Sequence, residues 1–295
     1  NSTTGNLRVD GIILAGSWAS GGAMGSAGYQ MGGAGTQTAG LGFGGYTRTT
    51  ATEEYNGSSW TAGGPLNTGR RALMNAGTQT AALGFSGFIP PNTTASEEYD
   101  GSSWTSGNSV NTARFNTDSS FGTQTAALGF GGYLFPGDSS ATESYDGTNW
   151  TSVNSMPTAR RAQGGAGTQT AGLSISGLVS PGSGVESATF DWDGSNWTAG
   201  ANVNTARYGG SACGIQTLAL FYAGSGPPGL FGATEKYNGT SWTTTTSMAT
   251  ARYNVAGAKA GTTSSALVFG GGPPAVTTTE EFTGATVITK SITTS

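Results

Sequence analysis

The chain has 295 residues and a formal net charge of −4, and only 9% of its residues are charged, against roughly 25% in ordinary soluble domains. Its only Lys/Arg clusters are the pairs Arg70–Arg71 and Arg160–Arg161, too few for the basic stripe that nucleic-acid binding needs, and no apolar run reaches the roughly 18 residues of a bilayer span. Histidine is absent, which removes Ser-His-Asp triads, His-ligated zinc or copper and imidazole bases, and the single cysteine, Cys213, excludes an internal disulfide framework.

The chain opens at Asn1 with neither Met nor a signal-peptide pattern, as a processed or truncated end would. Residues 16–22, around Trp18, read as an outer strand without a blade of its own. From there one phrase recurs six times: a Gly-Thr-Gln-Thr-like turn, an apolar stretch ending in paired glycines, a Thr-Glu-Glu-Tyr-like strand, an Asn/Asp-Gly turn and a Trp. Trp18, Trp60, Trp104, Trp150, Trp197 and Trp242 are separated by 42, 44, 46, 47 and 45 residues, the length of one four-stranded propeller blade. The second unit shows the expected pattern: an inner strand over 71–76, a second strand over 79–87, a variable loop over 88–95, a third strand over 96–99 and an outer strand over 102–107. Asn-Gly and Asp-Gly suit the type I′ turns between the last two strands, where both central residues take positive φ. Inner strands are built of Gly, Ala and Ser, as convergence on one axis requires, and the outer strands carry the bulky Trp. Cys213 falls in such an inner strand and reads as a buried spacer.

The final unit reaches Phe282 without a Trp to follow, so two closures compete. The Trp18 strand can complete the last blade, or residues 285–291 can. Trp18 keeps both the residue type and the spacing, and the N-terminal closure is favoured. The expectation is therefore an all-β, six-bladed propeller of four-stranded antiparallel blades spanning 1–295 as one domain. Residues 1–15 form an N-terminal extension and 285–295 a C-terminal strand or tail.

This wording resembles the kelch repeat: apolar strand, Gly-Gly, variable loop, Glu-x-Tyr-Asp-like strand, Trp, then Arg. The Gly-Gly position is held by Gly44-Gly45, Gly131-Gly132 and Gly270-Gly271, and in weaker form by Ser86-Gly87, Ser176-Gly177 and Ala223-Gly224. Tyr55, Tyr99, Tyr145, Trp192, Tyr237 and Phe282 hold the Tyr position. Arg70, Arg114, Arg160, Arg207 and Arg252 fall ten residues after a Trp, with Gly28 in that place after Trp18. The phrases also resemble kelch-like repeat proteins of marine bacteriophages, which implies a virion appendage or host-recognition module. Kelch propellers serve as enzymes, scaffolds and virion proteins, so the resemblance specifies fold more than function.

The carboxylate pairs Glu53-Glu54, Glu97-Glu98 and Glu280-Glu281 sit at equivalent repeat positions, whereas a catalytic pair should break the repeat. A structural role follows: Glu53, Glu97, Glu143, Glu235 and Glu280 are expected to meet Arg70, Arg114, Arg160, Arg207 and Arg252 in partly buried ion pairs. The Asp191–Asn196 run has oxygen ligands at alternating positions but lacks the rest of a calcium loop. No catalytic residue, metal or cofactor is expected.

The loops between second and third strands do vary, over 46–51, 88–95, 133–141, 178–187, 225–233 and 272–278. They carry most of the prolines and the aromatics Tyr46, Phe88, Tyr133, Phe135 and Phe231, which makes their shared face the expected binding surface. The leading expectation is a non-enzymatic protein of the virion surface or extracellular space, whose loop face meets a host glycan, a receptor or a neighbouring virion subunit. Nucleic acid and membrane insertion are excluded, and a homo-oligomer is allowed. The competing readings are a carboxylate-based glycan hydrolase on the same scaffold and a pure capsid or tail decoration.

Overall fold

The computed structural model describes residues 12–116, 118–180 and 184–288. Six four-stranded antiparallel sheets stand around one axis, and the one helical element among the described residues is a single 3₁₀ turn, Tyr46–Arg48. Blade 1 runs outward through Gly32–Thr36, Ala39–Phe43, Thr52–Tyr55 and Trp60–Ala62. The inner strands of blades 2 to 5 are Met74–Gly77, Ser120–Gly122, Gly164–Thr168 and Ser211–Ile215. In this winding the Gly-Thr-Gln-Thr and Asn-Gly turns share one face. The variable loops and the blade-to-blade connections share the other.

Blade 6 takes its inner three strands from the C-terminal unit, Ala256–Gly257, Ser265–Phe269 and Thr279–Thr283, and its outer strand from Ser17–Ser20. Trp18 lies opposite Phe282 and Ser17 opposite Thr283, so N-terminal closure wins. Residues Thr286–Ile288 pair instead with Ile12–Leu14 in a separate two-stranded ribbon. The remaining parts of the 1–15 and 285–295 segments lie outside the described residues.

Close approach at the axis explains the small inner strands. A Cβ on Gly33 would lie 2.4 Å from the Gly257 carbonyl oxygen, and one on Gly165 2.5 Å from that of Ser120. With no room for a central core, the buried apolar side chains fall into six clusters, one at each junction between neighbouring blades. At the junction of blades 1 and 2, for example, Leu41 and Phe43 meet Leu66, Leu73, Tyr99 and Trp104. Each outer-strand Trp packs on the aromatic five residues before it, as Trp104 on Tyr99 at 5.0 Å, or on Phe282 in the case of Trp18. Burying such a ring removes roughly 150–250 Å² from water, an upper bound of about 4–6 kcal/mol per blade.

The Thr-Glu-Glu-Tyr strand is the lock between blades, and each position has a separate partner. The Thr hydroxyl accepts the indole N–H of the next blade's Trp: Trp104 to Thr52, Trp197 to Thr142, Trp18 to Thr234 and Trp60 to Thr279, at 2.9–3.0 Å. The second Glu accepts the next blade's Tyr hydroxyl: Tyr99 to Glu54, Tyr145 to Glu98 and Tyr55 to Glu281. Where that position holds Ser144 or Lys236, the next blade's aromatic is Trp192 or Phe282, which has no hydroxyl to satisfy. The Tyr carbonyl accepts the amide of the Gln in the following Gly-Thr-Gln-Thr turn, as Gln79 does with Tyr55 and Gln124 with Tyr99, both at 2.8 Å.

The first Glu meets the buried arginines. Arg70 pairs with Glu97 at 3.2 Å, Arg207 with Glu235 and Arg252 with Glu280 at 2.5 Å, and Arg114 with Glu143. Burial lowers the Arg70, Arg207 and Arg252 pKa values and the facing Glu opposes that shift. Two members of the expected set depart from it. Arg160 makes no ion pair among the described residues, because Phe190 occupies the Glu position, and the Glu186 carboxylate only opposes the effect of burial from a distance. Its guanidinium lies 4.4 Å from the Phe190 ring and donates to the carbonyls of Ser176 and Ala188. Burial takes its pKa down to about 10. Glu53 has no arginine, because Gly28 stands where the Arg would, and it accepts the backbone N–H groups of Gly25 and Ser26.

A ring of hydrogen bonds joins all six blades on the loop side of the axis. The N–H groups of Gln30, Ala72, Asn116, Gly209 and Asn254 each donate to the carbonyl of the preceding blade's equivalent residue at 2.7–2.9 Å. Ala162 completes the circle by donating to the Asn116 side-chain oxygen at 2.5 Å. Gln30, Ala72, Ala162 and Asn254 hold φ of 50–54° to make these bonds, a strain of about 1–2 kcal/mol each that a hydrogen bond of similar worth offsets. Blade 3 has one residue more than its neighbours between its Arg and its inner glycine, Arg114 to Gly122 against Arg160 to Gly167. Within that longer connection Asp118 reaches the axis, where it pairs at 2.6 Å with Lys259 of the opposite blade 6. Lys259 also donates to the carbonyls of Asp118 and Gly165. Burial pushes the Asp118 carboxyl up and the Lys259 amine down, and their mutual attraction opposes both shifts.

Two expected outcomes test these locks. Arg207→Met strands Glu235 as an uncompensated buried charge and should cost about 3–5 kcal/mol in urea unfolding. Arg160→Met strands no carboxylate and should cost only about 1–2 kcal/mol. The phenols of Tyr55 and Tyr99 are pushed up to about 12, by burial first and then by their Glu partners. A raised folded-state pKa means that stability is fully present below about pH 10 and is lost as pH rises through about 12. Phenolate absorbance and circular dichroism followed together should show these two tyrosines ionising only as the fold is lost.

Candidate functional site

The residue that follows each arginine position is not fixed by the inter-blade locks, and it points the way to the loop face. These six residues are Tyr29, Arg71, Phe115, Arg161, Tyr208 and Tyr253, and all are half-buried. Each is tied by backbone to its own blade's variable loop: Arg71 to Phe88, Phe115 to Tyr133, Arg161 to Leu178 and Tyr208 to Ser225 as isolated bridges. Tyr46 donates its N–H to the Tyr29 carbonyl, and Gly272 donates to that of Tyr253. Four aromatics and two arginines thus ring the axial mouth directly above the hydrogen-bonded circle.

The loops add a second tier. Tyr46 stacks on Tyr29 with ring centres 4.4 Å apart. Phe88, Phe115, Tyr133 and Phe135 form one continuous aromatic cluster with centres 5.0–6.3 Å apart. Of the five aromatics expected at this face, Tyr46 and Phe135 are well exposed, at 44% and 66%. Phe88 and Tyr133 are half-buried within the cluster. Phe231 is also half-buried but stands apart from it, without a ring contact among the described residues, and packs toward Gly226.

The two arginines are held differently. The Arg71 guanidinium lies 4.8 Å from the Phe88 ring and 5.6 Å from that of Tyr46, with no carboxylate partner among the described residues. Arg48 lines the same pocket beside Tyr46 and Arg71. Arg161 lies 4.9 Å from the Tyr133 ring, pairs with Asp138 and donates to the Ser180 hydroxyl. Between these walls lies a cavity of about 220 Å³, lined by Phe115, Arg161, Tyr208, Tyr253, Gln30 and Asn254 among others. The Gln30 side-chain oxygen is buried without a partner among the described residues. The site therefore offers flat aromatic surfaces, fixed cations and amide groups, the mixture that fixes small polar ligands by stacking and a few directed hydrogen bonds.

The carboxylates of the repeat are engaged elsewhere, the first Glu with Arg or loop N–H groups and the second with Tyr hydroxyls. Among the described residues no group of three or more His, Cys, Asp or Glu gathers to hold a metal, and no helix is long and apolar enough to cross a membrane. Cys213 is buried, and burial pushes its thiol up to about 12. The opposite mouth of the axis opens to a cavity of about 370 Å³ beside Ile215, Leu218 and Lys259.

Sequence reasoning found the loop aromatics but passed over the residues after the arginines. The signal was present: in a repeat that fixes its neighbours, this position alternates among Tyr, Phe and Arg. No family model and no curated protein sequence matches the chain. In fold it is similar to the solved structure of YjhT, with a TM-score of 0.70 over 91% of this chain and 96% of that one, at 14% sequence identity.

Burial, and then the hydroxyl contact with Tyr46, push the Tyr29 phenol up to about 12. Tyr46→Ala removes both the cover and the contact. Tyrosine-selective NMR should show Tyr29 titrating closer to 10 in that variant, with the other phenols unmoved.

Proposed function

We propose that this propeller is a non-enzymatic adhesion protein of the kelch type, carried on a virion surface, that binds a host surface glycan through its loop face. The observation that carries the reading is the ring of Tyr29, Arg71, Phe115, Arg161, Tyr208 and Tyr253, extended outward by Tyr46, Phe88, Tyr133 and Phe135. Aromatic faces stack on the apolar faces of sugar rings, and the guanidinium and amide groups hydrogen-bond to hydroxyls. The tyrosines, stiffened by stacking, lose little conformational freedom on binding.

Binding is favoured over hydrolysis because two of the loop-face carboxylates are held in place: Asp138 is buried against Arg161, and Glu53 is nearly buried and braced by the N–H groups of Gly25 and Ser26. A hydrolase would need two carboxyl groups free to face the scissile bond. The resemblance of the repeat phrases to phage proteins supports the virion setting. The ribbon of Ile12–Leu14 with Thr286–Ile288 leaves from the turn side of blade 6, since its third strand ends there and its outer strand begins there, and so leaves the loop face uncovered.

The test is adsorption of the purified chain to host cells and to their isolated surface polysaccharide. Replacing Tyr46, Phe88, Tyr133 and Phe135 together by Ala should weaken binding by roughly a hundredfold, while Phe231→Ala changes it little. Full binding by the quadruple variant with its fold intact would refute the reading. Release of reducing ends from the polysaccharide would replace it with the hydrolase.

A further inference from the structure

The one junction that lacks its arginine keeps every other part of the arginine site. In the two fullest sites, those of Arg114 and Arg207, the guanidinium is held by three acceptors. Arg114 donates to Glu143, to the Thr112 carbonyl at 3.1 Å and to the Gly129 carbonyl at 3.3 Å. Arg207 donates to Glu235, to the Thr205 carbonyl at 3.0 Å and to the Phe221 carbonyl at 3.1 Å. The same Glu is braced from behind by two backbone N–H groups, those of Asn111 and Thr112 or of Asn204 and Thr205.

Between blades 6 and 1 the bracing is intact. Gly25 and Ser26 donate to the two oxygens of Glu53 at 2.7 and 3.0 Å. Gly42 lies opposite Glu53 in register, as Gly129 lies opposite Glu143 and Phe221 opposite Glu235. Ser26 stands two residues before Gly28, as Thr112 and Thr205 stand before their arginines. Glu53 is only 8% exposed and has no cation partner among the described residues. A cavity of about 240 Å³ lies in front of it, lined by Glu53, Gly42, Ser26, Met31, Tyr46 and Thr47 among others. Ser26, Tyr46 and Thr47 are exposed, so the cavity opens on the loop face.

We propose that this junction is a receptor for a guanidinium group brought from outside the chain, either the arginine side chain of another polypeptide or a small guanidino compound. The planar fork meets the Glu53 carboxylate and the Gly42 and Ser26 carbonyls, as the chain's own arginines do in blades 3 and 5. An ammonium has the charge but not the fork, and fits three spread acceptors less well. Met31, the flexible wall, adjusts to the stem of the incoming group. The proposal shares only Tyr46, at the edge of the cavity, with the aromatic face and stands whether or not that face binds a glycan.

The experiment follows the Met31 methyl signal by NMR in the full chain, assigned with Met31→Leu, during titration with methylguanidinium, N-acetyl-arginine amide and methylammonium. Methylguanidinium should give a saturable Met31 shift that spares Met74, which lies inside blade 2. Methylammonium should bind at least roughly tenfold more weakly, and Glu53→Gln should weaken guanidinium binding by a similar factor. Gly28→Arg should supply the group in cis, abolish the shift and raise Tm. If that variant does not fold, Glu53→Gln still decides the matter. Binding of the arginine amide as well assigns the site to a polypeptide arginine, and its exclusion assigns it to a small compound. No saturable Met31 shift from either guanidino compound, equal binding of methylammonium, or undiminished binding by Glu53→Gln would overturn the proposal.

Discussion

The crowding of six inner strands at one axis governs the rest of this molecule. Because Gly33 and Gly165 leave no space for side chains between blades, no common core can form, and each blade must satisfy its buried groups against two neighbours. The apolar part of that demand is met by the Trp, Tyr and Phe stacks at the junctions. The polar part is met by the Thr-Glu-Glu-Tyr strand, in which the Thr, the second Glu and the Tyr carbonyl each take a partner from the next blade, and the first Glu holds the arginine of the connection that enters its blade. Repetition in the sequence is thus repetition of an interface, with the strand itself as the unit that carries it.

An interface of this kind constrains pairs of residues in neighbouring blades together. Ser144 and Lys236 replace the Tyr-accepting Glu only where the next blade offers Trp192 or Phe282, and Phe190 replaces the Arg-accepting Glu where Arg160 can rest on its ring. Asp191 is the imperfect case. It stands opposite Tyr237 but is one methylene shorter than Glu, and one of its oxygens stays buried without a partner among the described residues while burial raises its pKa. Gly28 is the only substitution of an arginine that leaves the facing Glu in place, which is why it stands out as more than drift.

Rigidity of the ring suits its loop face to the recognition proposed for it. The hydrogen-bonded circle through Gln30, Ala72, Asn116, Ala162, Gly209 and Asn254 fixes the residues immediately before it, and those residues carry the aromatic and cationic groups of the mouth. Asp118 and Lys259 add a buried tie across the axis between blades 3 and 6. Side chains mounted on such a frame are held in place before a ligand arrives, so that little binding energy is lost to ordering them.

Much of this was legible in the residues alone. The period of the Trp residues specified six blades of four strands, the Gly and Ala runs identified the inner strands, and the spacing of Trp18 from the next turn predicted which end closes the ring. These are local properties, decided by chain length, turn chemistry and side-chain size. The Arg and Glu positions were visible as a set, but the sequence gives them no pairing by itself, so Arg160 and Glu53 looked like members of a uniform series. Only the tertiary structure decided that Phe190 faces one and that a cavity faces the other, because each contact joins residues about thirty positions apart, from the connection entering a blade and from that blade's third strand. The same holds for the mouth: Tyr29, Phe115, Tyr208 and Tyr253 are scattered along the chain and come together only when six connections are brought to one axis.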